Sequence, residues 1–189
     1  MSDQPVGTMT RDGSEYSLLL EREYPLAIES VWSALVEPEK LARWLGNVRH
    51  DARVGGSFEI DFGKGDEAGG RILVYDPPRC LAFEWGERGE PSVVRFELEP
   101  GGRGTLLRLK HTRQSAEMAA GTGPGWHAHL DVLTIVLEGG SFDLETGYRG
   151  LYQAAKARYA GWVPVSAPLT SDSPAACARP DRWLERPGS

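Results

Sequence analysis

The sequence predicts an α+β domain in which a curved, mostly antiparallel sheet wraps around one long C-terminal helix. Three observations carry this reading. Apolar and polar residues alternate with period two through residues 54–112, in segments separated by short Gly/Pro-rich turns. The longest amphipathic stretch, GWHAHLDVLTIVLEGG, comes directly after them. Two short helical patterns stand between the first strand and this meander. A sheet with one apolar face needs a cover, and the late amphipathic helix supplies it, while the two short helices plug one end.

Taken in order, EYSLLLEREYP (15–25) reads as the first strand. In ESVWSALVEP, Ile28, Val31, Trp32 and Leu35 fall at helical spacing; Glu29 or Ser30 opens the helix and Pro38 ends it. PEKLARWLG forms a second short helix from Pro38 to Gly46, with Leu41, Trp44 and Leu45 as its apolar residues. Phe58, Ile60 and Phe62 share a face in the next strand, opposite Ser57, Glu59 and Asp61. GGRILVYDPP is a strand ending in a Pro-Pro turn. Leu81, Phe83 and Trp85 then share a face, as do Val94, Phe96 and Leu98, and then Thr105, Leu107, Leu109 and His111. A Gly-rich loop (120–125) leads into the long helix, where Trp126, Leu130, Leu133 and Leu137 form a stripe widened by His129 and Val136 and ended by Gly139 and Gly140. A last helix over 146–159 carries Tyr148, Leu151, Tyr152, Ala155 and Tyr159 on one side.

The expected layout is a flexible N-terminus (1–13), one domain (14–140), a helical extension (141–162) and a Pro/Ser/Ala-rich tail (163–189). A chain of 189 residues suits one domain with tails, large enough to bury its core without a disulfide or metal. The net charge is −6 and no run of Lys or Arg occurs, so nucleic acid is not an expected partner; Arg108, Lys110 and Arg113 read as a solvated face. Cys80 and Cys177 stand in dissimilar contexts that suggest neither a disulfide framework nor a metal knuckle. The polar N-terminus lacks a signal-peptide core and no apolar run could span a membrane, which places the chain in the cytoplasm without membrane insertion.

No phosphate-binding loop, dinucleotide fingerprint, His-Glu-x-x-His, Cys-x-x-Cys or Gly-x-Ser-x-Gly elbow is present, so the sequence implies no cofactor and no catalytic residue. The histidines are the suggestive polar group. His111 ends a strand on its apolar face. His127 and His129 point about 200° apart on the helix and do not share a metal. His129 lies at the edge of the apolar stripe, where it can meet His111, while His127 falls on the polar side with Asp131 and Thr134. Glu59, Asp61, Glu84, Glu97 and Glu99 alternate outward as a wet face.

Several segments resemble one superfamily: VWSALVEPEKLARWLG (31–46), VGGSF (54–58), the Gly70–Pro78 strand and turn, LAFEW (81–85), GTLLRLKHT (104–112) and GWHAHLDVL (125–133). Their order over residues 16–140 resembles the helix-grip proteins, which include START domains, birch-pollen-allergen-like proteins and polyketide cyclases. The nearest branch is that of the activator of heat-shock protein 90 ATPase, in its stand-alone bacterial form. The resemblance implies a helix-grip fold and a cavity between sheet and long helix, but no single activity, since members range from lipid carriers to cyclases, hydrolases and a co-chaperone domain.

The expected function is binding of a small hydrophobic or amphipathic molecule in a cavity between the sheet and the long C-terminal helix, a role without enzymatic chemistry. The expected lining is Trp44, Phe58, Ile60, Phe83, Trp85, Phe96, His111, Trp126, His129, Leu130 and Leu133, a mainly apolar wall with a few polar groups. A cyclase, dehydratase or hydrolase using the same cavity is the second expectation, and a co-chaperone role the third. A homodimer is left open.

Overall fold

The computed structural model describes residues 5–63, 65–86 and 91–162. Eight strands form one sheet in the order β1-β2-β8-β7-β6-β5-β4-β3, and every adjacent pair is antiparallel. The strands are β1 (Thr8–Asp12), β2 (Glu15–Tyr24), β3 (Asn47–His50), β4 (Ser57–Gly63), β5 (Asp66–Asp76), β6 (Cys80–Trp85), β7 (Ser92–Gly101) and β8 (Gly104–Gln114). Helices α1 (Ile28–Val36) and α2 (Pro38–Leu41) follow β2, and α3 (Ala116–Leu137) and α4 (Leu144–Arg158) follow β8. This is the α+β arrangement that the alternating strands and the late helix predict, and the helix-grip fold that the resemblance implies.

Alternation places the inward side chains of β4 and β6–β8 in one core with α1 and the second half of α3. Phe58 stacks on Phe83 at 4.0 Å, and Trp44, Phe96, Leu130 and Leu133 close around them, all buried. Trp44 donates its indole N–H to the Ala34 carbonyl at 2.9 Å, which fixes α2 against α1. Irregular register within β5 at Ile72/Val74 and within β4 at Asp61/Gly63 gives the sheet its bend. Gly104 starts β8 at φ +147°, and a Cβ there would run into the Tyr24 carbonyl oxygen, so this turn requires glycine. The outward face is tied by cross-strand pairs: Arg108 to Glu21 and Glu99 at 2.7 and 2.6 Å, and Lys110 to Glu97 at 2.8 Å.

Four features depart from the sequence expectations. Residues 8–12, expected to be loose, form β1 along β2. Asn47–His50, which has no strand pattern of its own, pairs with β4 as β3. Helix α3 starts at Ala116, ten residues before the expected Trp126, and runs through Gly121, Gly123, Pro124 and Gly125. The Ser115 hydroxyl caps it by accepting from the Met118 N–H at 3.2 Å. Close packing over this glycine-rich half offsets its poor helix propensity: a Cβ on Gly123 would lie 2.8 Å from the ring of Tyr159, which caps α4. Finally, Cys80 is disulfide-bonded, whereas its sequence context suggested no disulfide; Cys177 lies outside the described residues, as does the 163–189 tail. No described helix is long and apolar enough to cross a membrane.

Candidate functional site

Trp126 organises the polar interior. Its indole N–H donates to His111 Nδ1 at 3.0 Å. An indole nitrogen is only a donor, so Nδ1 carries no proton and the neutral ring bears it on Nε2. Nε2 lies 2.8 Å from Ser92 Oγ, and Ser92 in turn donates to the Trp85 carbonyl at 2.8 Å. Donors and acceptors match along this chain, and His111 has no free position. Burial pushes its pKa down to about 3, which keeps it neutral.

His129, one turn after Trp126 on α3, is arranged differently. Its Nδ1 lies 2.8 Å from the Trp44 carbonyl, which only accepts, so Nδ1 holds the proton and Nε2 presents a lone pair. Among the described residues Nε2 has no hydrogen-bond partner, although the residue is only 9% exposed. Burial lowers this pKa to about 4, against the opposing effect of the Trp44 hydrogen bond. The ring packs 4.5 Å from that of Tyr148 and about 6 Å from Phe62 and Trp126.

His129 faces a pocket of about 850 Å³. Its walls come from the α2 turn (Ala42, Leu45), the β4–β5 end (Phe62, Asp66), Trp85 of β6, the first half of α3 and α4 (Leu144, Tyr148, Tyr152). The volume falls in the usual range for small-molecule sites. A larger concavity, about 1280 Å³, lies along β4 and β5. Its two arginines are held in ion pairs, Arg49 with Glu59 at 3.8 Å and Arg71 with Glu84 at 3.4 Å, and no histidine is among its described lining residues; the smaller pocket is the better candidate.

Of the residues expected to line a cavity, Trp85, Trp126 and His129 meet at this pocket. Ile60 is buried beside the larger concavity. Trp44, Phe58, Phe83, Phe96, His111, Leu130 and Leu133 are packed into the core. His111 and His129 do not bond each other; each packs on Trp126, at ring separations of 6.2 and 6.0 Å. Phe62, Thr122, Tyr148 and Tyr152 are lining residues absent from the sequence list. Phe62 shares the alternation of Phe58 and Ile60, and Tyr148 and Tyr152 share one side of the last helix, so both signals were present.

His127 does not lie on a solvated helix face. It is 1% exposed, with Arg22 Nη2 3.2 Å from Nδ1 and Arg158 Nη1 3.0 Å from Nε2. Asp131 Oδ2 lies 3.7 Å from Nε2, and the Tyr159 hydroxyl, which accepts from the Gly7 N–H at 2.9 Å, stands close by. Burial first, and then the two guanidinium charges, push the His127 pKa down to about 4. This cluster ties β2, α3 and α4 together and is separate from the pocket. Among the described residues no group of three His, Cys, Asp or Glu side chains is placed to hold a metal.

Comparison with known proteins agrees with this architecture. CalU16 from Micromonospora echinospora, in its crystal structure, is 29% identical with a TM-score of 0.66, over 82% of this chain and 95% of that one. The protein encoded by gene BPP1335 from Bordetella parapertussis is 26% identical with a TM-score of 0.63, over 87% and 97%. The Aha1 dimer from Colwellia psychrerythraea, at 18% identity and a TM-score of 0.58 over 65% and 96%, shares the fold alone. No curated protein matches the chain. Residues 25–138, more than half of the chain, match the family described as Activator of Hsp90 ATPase homolog 1-like protein, and the chain belongs to that family.

Proposed function

We propose that the chain binds a small hydrophobic or amphipathic molecule in the pocket between α3, α4 and the end of the sheet. Trp85, Trp126, Phe62 and Tyr148 supply the apolar walls and His129 the polar anchor. The observation that carries this reading is His129 Nε2, an acceptor without a hydrogen-bond partner among the described residues, on a buried ring that lines an aromatic-walled pocket. A ligand donor that meets this lone pair would take the place of the water it can otherwise reach and form a hydrogen bond sheltered by the aromatic walls. Trp44, Phe58, Phe83, Phe96, Leu130 and Leu133 act behind the walls by holding their shape.

The test is a titration with 2-naphthalenemethanol, read by tryptophan fluorescence and native mass spectrometry. A saturable change with a one-to-one adduct is expected, and it should weaken about fivefold or more in His129→Asn, whose amide N–H can still reach the Trp44 carbonyl. No saturable change and no adduct would overturn the reading.

A second reading, catalysis of cyclase or hydrolase type, is favoured by the same Nε2 lone pair, which is placed to take a proton from a bound hydroxyl. It requires that His129→Asn abolish turnover of a bound substrate while leaving the circular dichroism spectrum intact; retained turnover would remove it.

A further inference from the structure

The pocket's polar groups share a property that narrows the ligand class, on the basis of the binding reading above. Four of them have already used their donors on the protein. His129 Nδ1–H is directed to the Trp44 carbonyl at 2.8 Å, and the Trp126 indole N–H to His111 at 3.0 Å. The Tyr148 hydroxyl donates to the Gly125 carbonyl at 3.3 Å, and the Thr122 hydroxyl to Gln114 Oε1 at 2.5 Å. What His129, Tyr148 and Thr122 can offer a guest is therefore lone pairs. The lining donors not engaged in this way, on Asn47, Trp85 and Tyr152, are all neutral.

The charges point the same way. Asp61, Asp66 and Glu145 stand at the rim, and none of them is in a salt bridge among the described residues. No described Lys or Arg side chain lines the pocket. The walls carry the rings of Phe62, Trp85, Trp126, Tyr148 and Tyr152, and an aromatic ring attracts a cation to its face. His129 is uncharged at neutral pH and so adds no positive charge.

We propose that this pocket takes an apolar, aromatic molecule bearing a protonated amine. The ammonium N–H donates to His129 Nε2 and lies against the aromatic walls, while the rim carboxylates draw the cation in. Fatty acids, acyl carboxylates and phosphate esters are disfavoured, because each would place an anion among lone pairs and carboxylates with no Lys or Arg among the described lining residues to meet it.

Three probes of one shape separate the terms: 2-naphthylmethylamine, 2-naphthalenemethanol and 2-naphthoate, titrated at low ionic strength with calorimetry and tryptophan fluorescence. The amine is expected to bind about tenfold or more tighter than the carboxylate, with the alcohol between them. Raising the salt should narrow the gap, since the rim charges are exposed. The combined variant Asp61→Asn, Asp66→Asn, Glu145→Gln, which alters surface residues only, should reduce the amine-to-carboxylate ratio by about fivefold, and His129→Asn should weaken the amine more than the naphthoate. Equal or tighter binding of naphthoate, or a ratio unchanged in the triple variant, overturns the proposal while leaving the pocket reading in place. Binding of none of the three overturns both.

Discussion

His111 and His129 both pack against Trp126, both are buried, and both have a pKa driven well below the ordinary histidine value by desolvation. Titration behaviour does not tell them apart, but hydrogen-bond valence does. His111 accepts from Trp126 and lies against Ser92, whose own proton goes to Trp85, so the chain is complete. His129 uses one nitrogen on Trp44 and presents the other to a void. A perturbed histidine is thus a structural bolt when both nitrogens are matched, and one with a nitrogen left over is, on the function proposed above, a candidate binding group.

The sharpest way to break this comparison is to remove each ring. His111→Ala leaves the Trp126 N–H and the Ser92 hydroxyl in a dry cavity and should destabilise the fold by about 3–5 kcal/mol in denaturant unfolding. His129→Asn, which keeps the Trp44 bond, should cost less than about 2 kcal/mol. Equal losses would mean that the two sites do the same structural work.

Acidification sharpens the comparison further. The folded state holds His111 near 3 and His127 and His129 near 4, whereas an unfolded histidine takes up its proton below about 6.5. The unfolded state binds more protons across this window, so the stability these groups contribute is complete above about pH 6.5 and declines as pH falls towards 4. Each buried histidine should account for about 2 kcal/mol of loss between pH 7 and pH 5. His129→Asn should therefore lose about 2 kcal/mol less than the parent chain over that interval, in urea titrations at the two pH values.

The smallest effect concerns the open side's outer wall. Gly123→Ala places a methyl against the Tyr159 and Trp162 rings at 2.8 and 3.0 Å. Although alanine favours a helix, the clash should outweigh the gain and leave a net loss of about 1 kcal/mol, together with weaker probe binding. A stabilised variant would show that α4 does not press on α3.

The parts of the fold legible in the sequence are those whose periodicity is imposed by burial. Phe58, Ile60 and Phe62 announce β4, and Leu107, Leu109 and His111 announce β8, because one face of each is dry. β1 and β3 are the two edges of the sheet, five and four residues long, and their pairing is dictated by β2 and β4 more than by their own side chains. The early start of α3 was hidden because Gly121, Gly123, Pro124 and Gly125 all oppose a helix locally, and only α4 reverses that preference. In the candidate site, alternation marks Trp85 and Phe83 as inward alike. Which of them meets a void depends on packing partners from other elements: Phe58 covers Phe83, while Trp85 stands beside Trp126 at the pocket wall.

The contact between α3 and α4 has a consequence for how the pocket opens. Residues 116–125 hold three glycines and a proline and would not stay helical alone, while α4 fully buries Ala155 and packs Leu144 and Leu151 only partly buried against the core. Neither segment is self-sufficient, so wall and cover form one cooperative unit of local unfolding, below the stability of the sheet core. A guest that touches both helices binds only the ordered unit and so stabilises it. Ligand occupancy and helix order on this side of the molecule are then one equilibrium, and any guest that fits the pocket lengthens the lifetime of both helices.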